Sequence, residues 1–266
     1  MKPMVNNINK YIKVYWLISK SAIVSALDSR YGAVLFILGK IVRISTFTYF
    51  MYVLVTHSNS LMGYSAKQLI FFLLTFNIVD TGSQFLFRDV YRFRSRVING
   101  EIDGYFIKPI NVLARSLLGG LDVMDFIVFV PLVITTIMLI PQVINSGLSL
   151  FLYLVLLVNS FVISTAFHIF ILGMGIATNE VELAVFIYRD LTSLGKIPLD
   201  VYKYPINTIF SYIIPIGIMM TFPAKALFGQ VSILFTMLYL AFGIMLYIIS
   251  LKYWDFAVKK YSSASS

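Results

Sequence analysis

Three arginines at four-residue spacing, Arg88, Arg92 and Arg96, lead into a short acidic turn, Gly100-Glu-Ile-Asp-Gly104, followed by Tyr105, Lys108 and Pro109. On a helix that spacing puts the three guanidinium groups on one face. Such a face can grip lipid headgroups, worth about 1 kcal/mol per basic residue near an anionic surface, or the carboxylates of a protein partner. Asn99-Gly100 suits the end of the helix, because both residues tolerate the left-handed cap. Pro109 limits further helix, and a new one is expected over 112–118. The arginines alone favour lipid. The turn of Glu101 and Asp103 with its glycines favours insertion into a groove on a protein.

A second set of charges interrupts long apolar runs: Lys40, Arg43, Asp80, Arg189 and Asp190. Lys40 and Asp80 each fall on the order of 10 Å from the same end of their helices, at 1.5 Å per residue. Equal depth permits a salt bridge, and an intramembrane charge usually finds a partner. The alternatives are snorkelling of Lys40 to the headgroups and an Asp80 that faces water. Paired carboxylates occur at Glu101/Asp103, Asp122/Asp125 and Glu180/Glu182, all at expected helix ends, where acids stabilise N-termini for ordinary reasons. The two histidines, His57 and His168, are far apart in the chain. His168 lacks a second ligand at metal spacing and reads as a packed polar residue. No phosphate-binding glycine loop, H-E-x-x-H or G-x-S-x-G is present, which argues against an enzyme.

The elements that carry these residues are membrane spans. Charged residues make up 12% of the chain and apolar ones 59%, with a mean hydropathy of +0.87; soluble domains carry about 25% charged residues. The 266 residues leave room for about six spans and short loops, an all-α polytopic membrane protein in one domain. Cysteine is absent, which excludes disulfides and thiolate metal sites. The net charge of +9 is gathered in the N-terminal segment, in 88–115 and at the C-terminus. That is the positive-inside pattern, not a nucleic-acid footprint, and it puts both termini in the cytoplasm. The first nine residues are polar and no cleavable signal is expected.

In order, residues 6–30 read as a helix lying on the membrane. Ile8, Ile12, Tyr15 and Ile23 fall on one side, Lys10, Lys13 and Lys20 on another, with Trp16 at headgroup level. An ordinary cytosolic helix packed on the bundle remains open. Spans are expected at about 33–55, 68–87, 123–140, 148–172 and 231–251. Polar turns are expected at 57–63 and 141–147, Gly173, Gly175 and Thr178-Asn-Glu180 end the fourth span, and 252–266 forms a basic tail. Between 181 and 229 two arrangements give an even number. Either 181–197 crosses and 204–229 is a re-entrant hairpin, or 181–203 is a loop and 204–229 crosses. Pro205, Pro215 and Pro223 favour the first, because broken helix at membrane depth survives only under protein or water. Lys196 and Lys203 favour the second.

Gly100-Glu-Ile-Asp-Gly-Tyr-Phe-Ile-Lys-Pro109 resembles the loop of type-2 ABC exporter permeases, in particular a bacterial subfamily of about 260 residues without a fused ATPase. Two further blocks agree in register. Ser193-Leu-Gly-Lys-Ile-Pro-Leu-Asp200, with Pro205, Pro215 and Phe222-Pro-Ala-Lys-Ala-Leu-Phe-Gly229, resembles the block after the fifth span. Tyr261-Ser-Ser-Ala-Ser-Ser266 resembles the C-terminal pattern. The resemblance implies an interfacial N-terminal helix, six spans in the bacterial cytoplasmic membrane, a coupling helix between spans 2 and 3, and a re-entrant hairpin before span 6. It thereby selects the first topology. It implies coupling to an ATPase through Arg92, Arg96, Gly100, Glu101, Asp103, Gly104, Tyr105, Lys108 and Pro109. Two separate ATPase subunits would hold ATP and Mg, with no cofactor or metal on this chain. A second permease, identical or a sister, would complete the transporter, with membrane lipids around it and no nucleic acid. Spans 1, 2 and 5 would line an export path for a drug, peptide or lipid. Lys40, Arg43 and Arg189 depart from the family in charging the interior. The rival from another class is an ATP-independent carrier relaying ions through Lys40, Asp80 and Arg189.

Overall fold

A computed structural model describes residues 4–28, 30–58, 63–178 and 181–261, with side chains described for all of these except 4–11, 25–30 and 58. All regular elements in it are helical. The longest are α1 (Met4–Asp28), α2 (Arg30–Ser58), α3 (Ala66–Phe87), α7 (Val123–Val143), α8 (Gly147–Thr178) and α12 (Ile233–Lys259). Between α3 and α7 lie a 3-10 turn (Arg88–Arg92) and the short helices α4 (Phe93–Ile98), α5 (Asp103–Phe106) and α6 (Val112–Leu117). Between α8 and α12 lie α9 (Val181–Leu194) and two arms, α10 (Ile206–Ile213) and α11 (Gly217–Leu227), set at 80° to each other.

Five helices are long and apolar enough to cross a membrane, six if the bent pair counts as one. α3 is the hub. Of its apolar window 78% is buried, against 11% for the α2 window and 22% for that of α12. Small residues let the neighbours close on it and on each other. Gly82 of α3 accepts the rings of Phe161 and Phe129, and Gly243 of α12 receives the Asn159 side chain, whose amide donates to the Tyr239 carbonyl at 3.0 Å. Ser65 and Gln68 form a reciprocal capping box at the start of α3, satisfying two orphan backbone donors.

Three of the four buried apolar clusters among the described residues stack as layers along the bundle, and the fourth, Ile78 with Val128 and Leu132, joins α3 to α7. At the Arg88 end, Phe87, Val90 and Phe93 pack with Leu172 and Trp254. In the middle, Phe76 and Val79 pack with Leu156, Ile163 and the Ile216–Met220 bend. At the Tyr64 end, Phe71 and Phe72 pack with Met51, Tyr153 and Leu227. α9 leaves the first layer, where Val181 meets Gly175 and Phe93. The chain after it reaches the third, where Asp200 accepts from the Tyr64 hydroxyl at 2.5 Å and from Lys225 at 2.8 Å. α10 and α11 descend to the middle layer and return, since Asn145 N–H donates to the Leu227 carbonyl at 3.1 Å. Both ends of 200–229 therefore lie at one end of the bundle.

Several expected boundaries shift. α9 stops at Leu194 rather than 197; its 14 residues span about 21 Å, short of a 30 Å hydrocarbon core. α8 runs through Gly173 and Gly175 to Thr178. These glycines are notches for Tyr253 and Val181 rather than breaks. α7 continues past Pro141. α12 extends to Lys259, so most of the expected tail is helix. Pro215 sits at the 80° bend between α10 and α11, and Pro223 sits inside α11, where the π-helical stretch Gly217–Thr221 gives way to the α-helical turns Phe222–Leu227. On α1, Ile12, Trp16 and Leu17 are exposed together with Lys13 and Lys20, while Ser19 is buried against Leu121, whose N–H it accepts at 3.2 Å. The expected roles of Ile8 and Lys10 side chains, of Asn179 and Glu180, of most of the 57–63 turn and of 262–266 fall outside what is described.

Candidate functional site

The chain changes character at Phe87. α3 ends, and Arg88–Arg92 forms a 3-10 turn before α4 begins. Three residues per turn rotate an i, i+4 spacing by about 120°, so the expected arginine face does not form. Arg88 turns inward, with Nε 2.7 Å from Asp122 and Nη2 2.6 Å from Asp125. Arg92 points out, exposed. Arg96 folds back, donating to Asp89 at 2.5 Å and to the Tyr105 hydroxyl at 2.8 Å.

Asp89 is the pin of this segment. It is 5% exposed and faces Arg96 on α4 and Arg115 on α6, the latter at 3.5 Å. A carboxylate removed from water needs such partners. The Arg115 guanidinium also lies over the Tyr105 ring, 5.0 Å from its centroid. α4 ends as its sequence predicts. Gly100 has φ of +70°, and Gly100 and Glu101 N–H donate to the Val97 and Arg96 carbonyls, the Schellman closure. Beyond it Ile102 and Tyr105 are buried. Glu101, Lys108 and Pro109 are exposed, and Gly104 has open space around it. Asp103 accepts a 2.8 Å hydrogen bond from the Tyr261 hydroxyl, and Tyr261 stacks on Phe106. Burial, and then the Asp103 carboxylate, push the Tyr261 hydroxyl up to about 12. Of the two acids in the expected docking turn, Glu101 is outward and Asp103 ties the chain beyond α12 to α5.

The interior charges form two clusters, and the Lys40–Asp80 pair that equal depth permits is not among them. Lys40, 6% exposed, pairs with Asp125, 0% exposed. Asp125 also takes Arg88, and Asp122 caps α7 through the Met124 and Asp125 amides. Equal depth fixed the height of Lys40 but not its rotation, which turns it toward α7. Asp80 instead accepts from Arg189 on α9 at 2.7 Å, with Arg43 on α2 at 3.9 Å. Asp190 is exposed and forms no ion pair with another described residue. Asp125 and Asp89 are the functional candidates that sequence reasoning missed. The signal for Asp125 was present, since Lys40 and Arg88 both needed a carboxylate near the start of α7. Nothing local marked Asp89 off from the arginines around it.

Glu182 meets Arg94 at the surface, 3.0 Å apart. His168 is buried against Phe87 and Tyr188, with Nδ1 2.7 Å from the Ser164 carbonyl. Among the described residues no group of acids and histidines could hold a metal. A cavity of about 400 Å³ opens between α1, the 3-10 turn and the start of α7, with Arg88 and Arg92 on its wall.

The arrangement is a braced arm. Residues 88–118 join α3 to α7, run on directly from α3, are ion-paired to α7 through Arg88 and internally through Asp89, and present Arg92, Glu101 and Lys108 outward. No curated protein and no solved structure matches the chain. A family model described as ABC-2 family transporter protein matches residues 41–265, which include α3, the braced arm and the bent pair. The chain belongs to that family, and is therefore a permease component of an ABC transporter, a multi-pass membrane subunit.

Proposed function

We propose that this chain is the membrane-spanning subunit of an ATP-driven exporter. It works with two separate ATPase subunits, which hold ATP and Mg, and with a second permease, identical or a sister. The braced arm is the coupling element. The observation that carries this reading is the pairing of Asp89 with Arg96 and Arg115 below a bundle already pinned by Arg88 to Asp122 and Asp125. A push on the Glu101–Gly104 tip then moves α3 and α7 together. A ligand can bias a pore only through contacts that differ between its two states, and a slack tip would transmit no such difference.

In this reading the Arg88 end faces the cytoplasm, as its basic residues require. α9 with the stretch up to Ile197 crosses the membrane. α10 and α11 enter from the outer side and return, supported by the two contacts that hold 200 and 229 at the Tyr64 end. The exposed apolar residues of α1 rest on the inner leaflet.

The test is capture. The tagged chain, solubilised in mild detergent, brings down an ATPase, and charge reversal at Glu101 weakens that capture at equal expression. A chain that transports alone, with no ATPase bound, would instead make the Asp80–Arg189 pair the relay of a secondary carrier.

A further inference from the structure

The two interior clusters differ in charge balance. Around Asp125 and Asp122 sit Lys40 and Arg88, two cations for two carboxylates. Around Asp80 sit Arg189 and Arg43, and Lys196 lines the same small cavity, of about 100 Å³, with Arg43 and Asp80. That is three cations for one carboxylate, a surplus of two. The Arg43 side chain is 48% exposed and its only contact with Asp80 is at 3.9 Å. Asp80 lies seven residues before the end of α3, on the order of 10 Å into the apolar layer. A surplus of two at that depth is costly against lipid.

A second copy does not remove it. A two-fold contact sets the same patch opposite itself, which doubles the surplus, and like charges across an interface repel. The missing partner is an anion. Next to Arg43 is a cavity of about 320 Å³ bounded by Phe36, Lys40 and Gln84, large enough for a headgroup. Above and below it α2 exposes Leu35, Leu38 and Val42, an apolar strip along which a chain can lie. Guanidinium groups bind phosphate through a planar fork.

We infer that the groove where α2 meets α3 binds an amphiphile with an anionic, phosphate-type head, held by Arg43, with Lys196 adding positive charge from the small cavity it shares with Arg43 and Asp80. This rests on the exporter reading for its place in a translocation path, and the binding itself does not require it.

The test uses the full chain in a neutral detergent and two probes with one tail, hexadecyl phosphate and hexadecylphosphocholine. Hexadecyl phosphate is expected to bind roughly tenfold tighter or better, the factor one new charge pair readily supplies. Arg43→Gln with Lys196→Gln should abolish that preference. Arg43→Lys alone should keep most of it, and Lys20→Gln on α1 should leave it intact. Equal binding of the two probes, or a preference that survives the double variant, overturns the site. Displacement by dioleoylphosphatidylglycerol assigns the site to bulk anionic lipid, and resistance to it assigns a dedicated phosphorylated amphiphile. Loss of binding with the ATPase still captured rejects this site alone. Selective binding with no ATPase rejects the exporter and keeps the site.

Discussion

Asp89 and Gly119 approach so closely that no side chain fits between them: a Cβ built on Gly119 would lie 1.4 Å from Asp89 Oδ2. The glycine is what lets the Asp89 carboxylate reach back to Arg96 and Arg115 while the chain passes over it toward α7.

Gly119→Ala should therefore act on the arm and not on the bundle. The added methyl displaces Asp89, and overpacking of this kind costs about 1–3 kcal/mol. The expected result is a chain that inserts and captures the ATPase but shows weakened coupling of ATP hydrolysis to transport. Limited proteolysis should find new cutting between 96 and 115. An unchanged digestion pattern would mean that Asp89 is not the pin.

Asp125→Asn should be the most damaging single change among the interior acids. It leaves Lys40 and part of Arg88 uncompensated, and breaking a buried pair costs about 3–5 kcal/mol. Melting in mild detergent should drop sharply. Lys40→Met combined with Asp125→Asn should recover part of the loss, because the orphan charge goes too. Asp122→Asn, whose partner Arg88 keeps Asp125, should cost less.

The Asp200 staple gives a pH dependence. Burial alone would raise its carboxyl, but hydrogen bonds from Lys225 and Tyr64 outweigh that and hold it below the usual range. A depressed folded value stabilises above the unfolded value of about 3.9 and is lost as pH falls through the folded one. The melting gap between the wild type and Asp200→Asn should be flat above about pH 5 and close in more acid solution. A gap that widens in acid would contradict the staple.

Topology is read by labelling. Single cysteines replacing Lys203 and Gln230, both exposed, should react with an impermeant maleimide added outside cells. One replacing Lys259 should be protected until the membrane is opened. Opposite labelling of positions 203 and 230 would make the bent pair a full span.

Much of this was legible in the sequence because the membrane forces it. Long apolar runs must be helices, and α2, α3, α7, α8 and α12 all began within about five residues of where composition placed them. The Asn99-Gly100 stop was legible for the same reason, as a backbone requirement met by a residue type. Rotation was not. Nothing in the runs around Lys40 and Asp80 says which way either faces, so depth matched them while packing sent Lys40 to Asp125 and Arg189 to Asp80. The arginine face failed on a change of helix type at Phe87, a local geometry that charged residues do not signal.

The central claim is that the Glu101 tip of a braced arm touches a separate ATPase, and a photoreactive residue at position 101 tests it most directly. With cells illuminated and membranes solubilised, the predicted result is one crosslinked adduct containing this chain and an ATPase, absent when the same residue replaces Ile137 on the exposed flank of α7. Adducts with lipid alone at position 101, with an ATPase present in the same membranes, would contradict it.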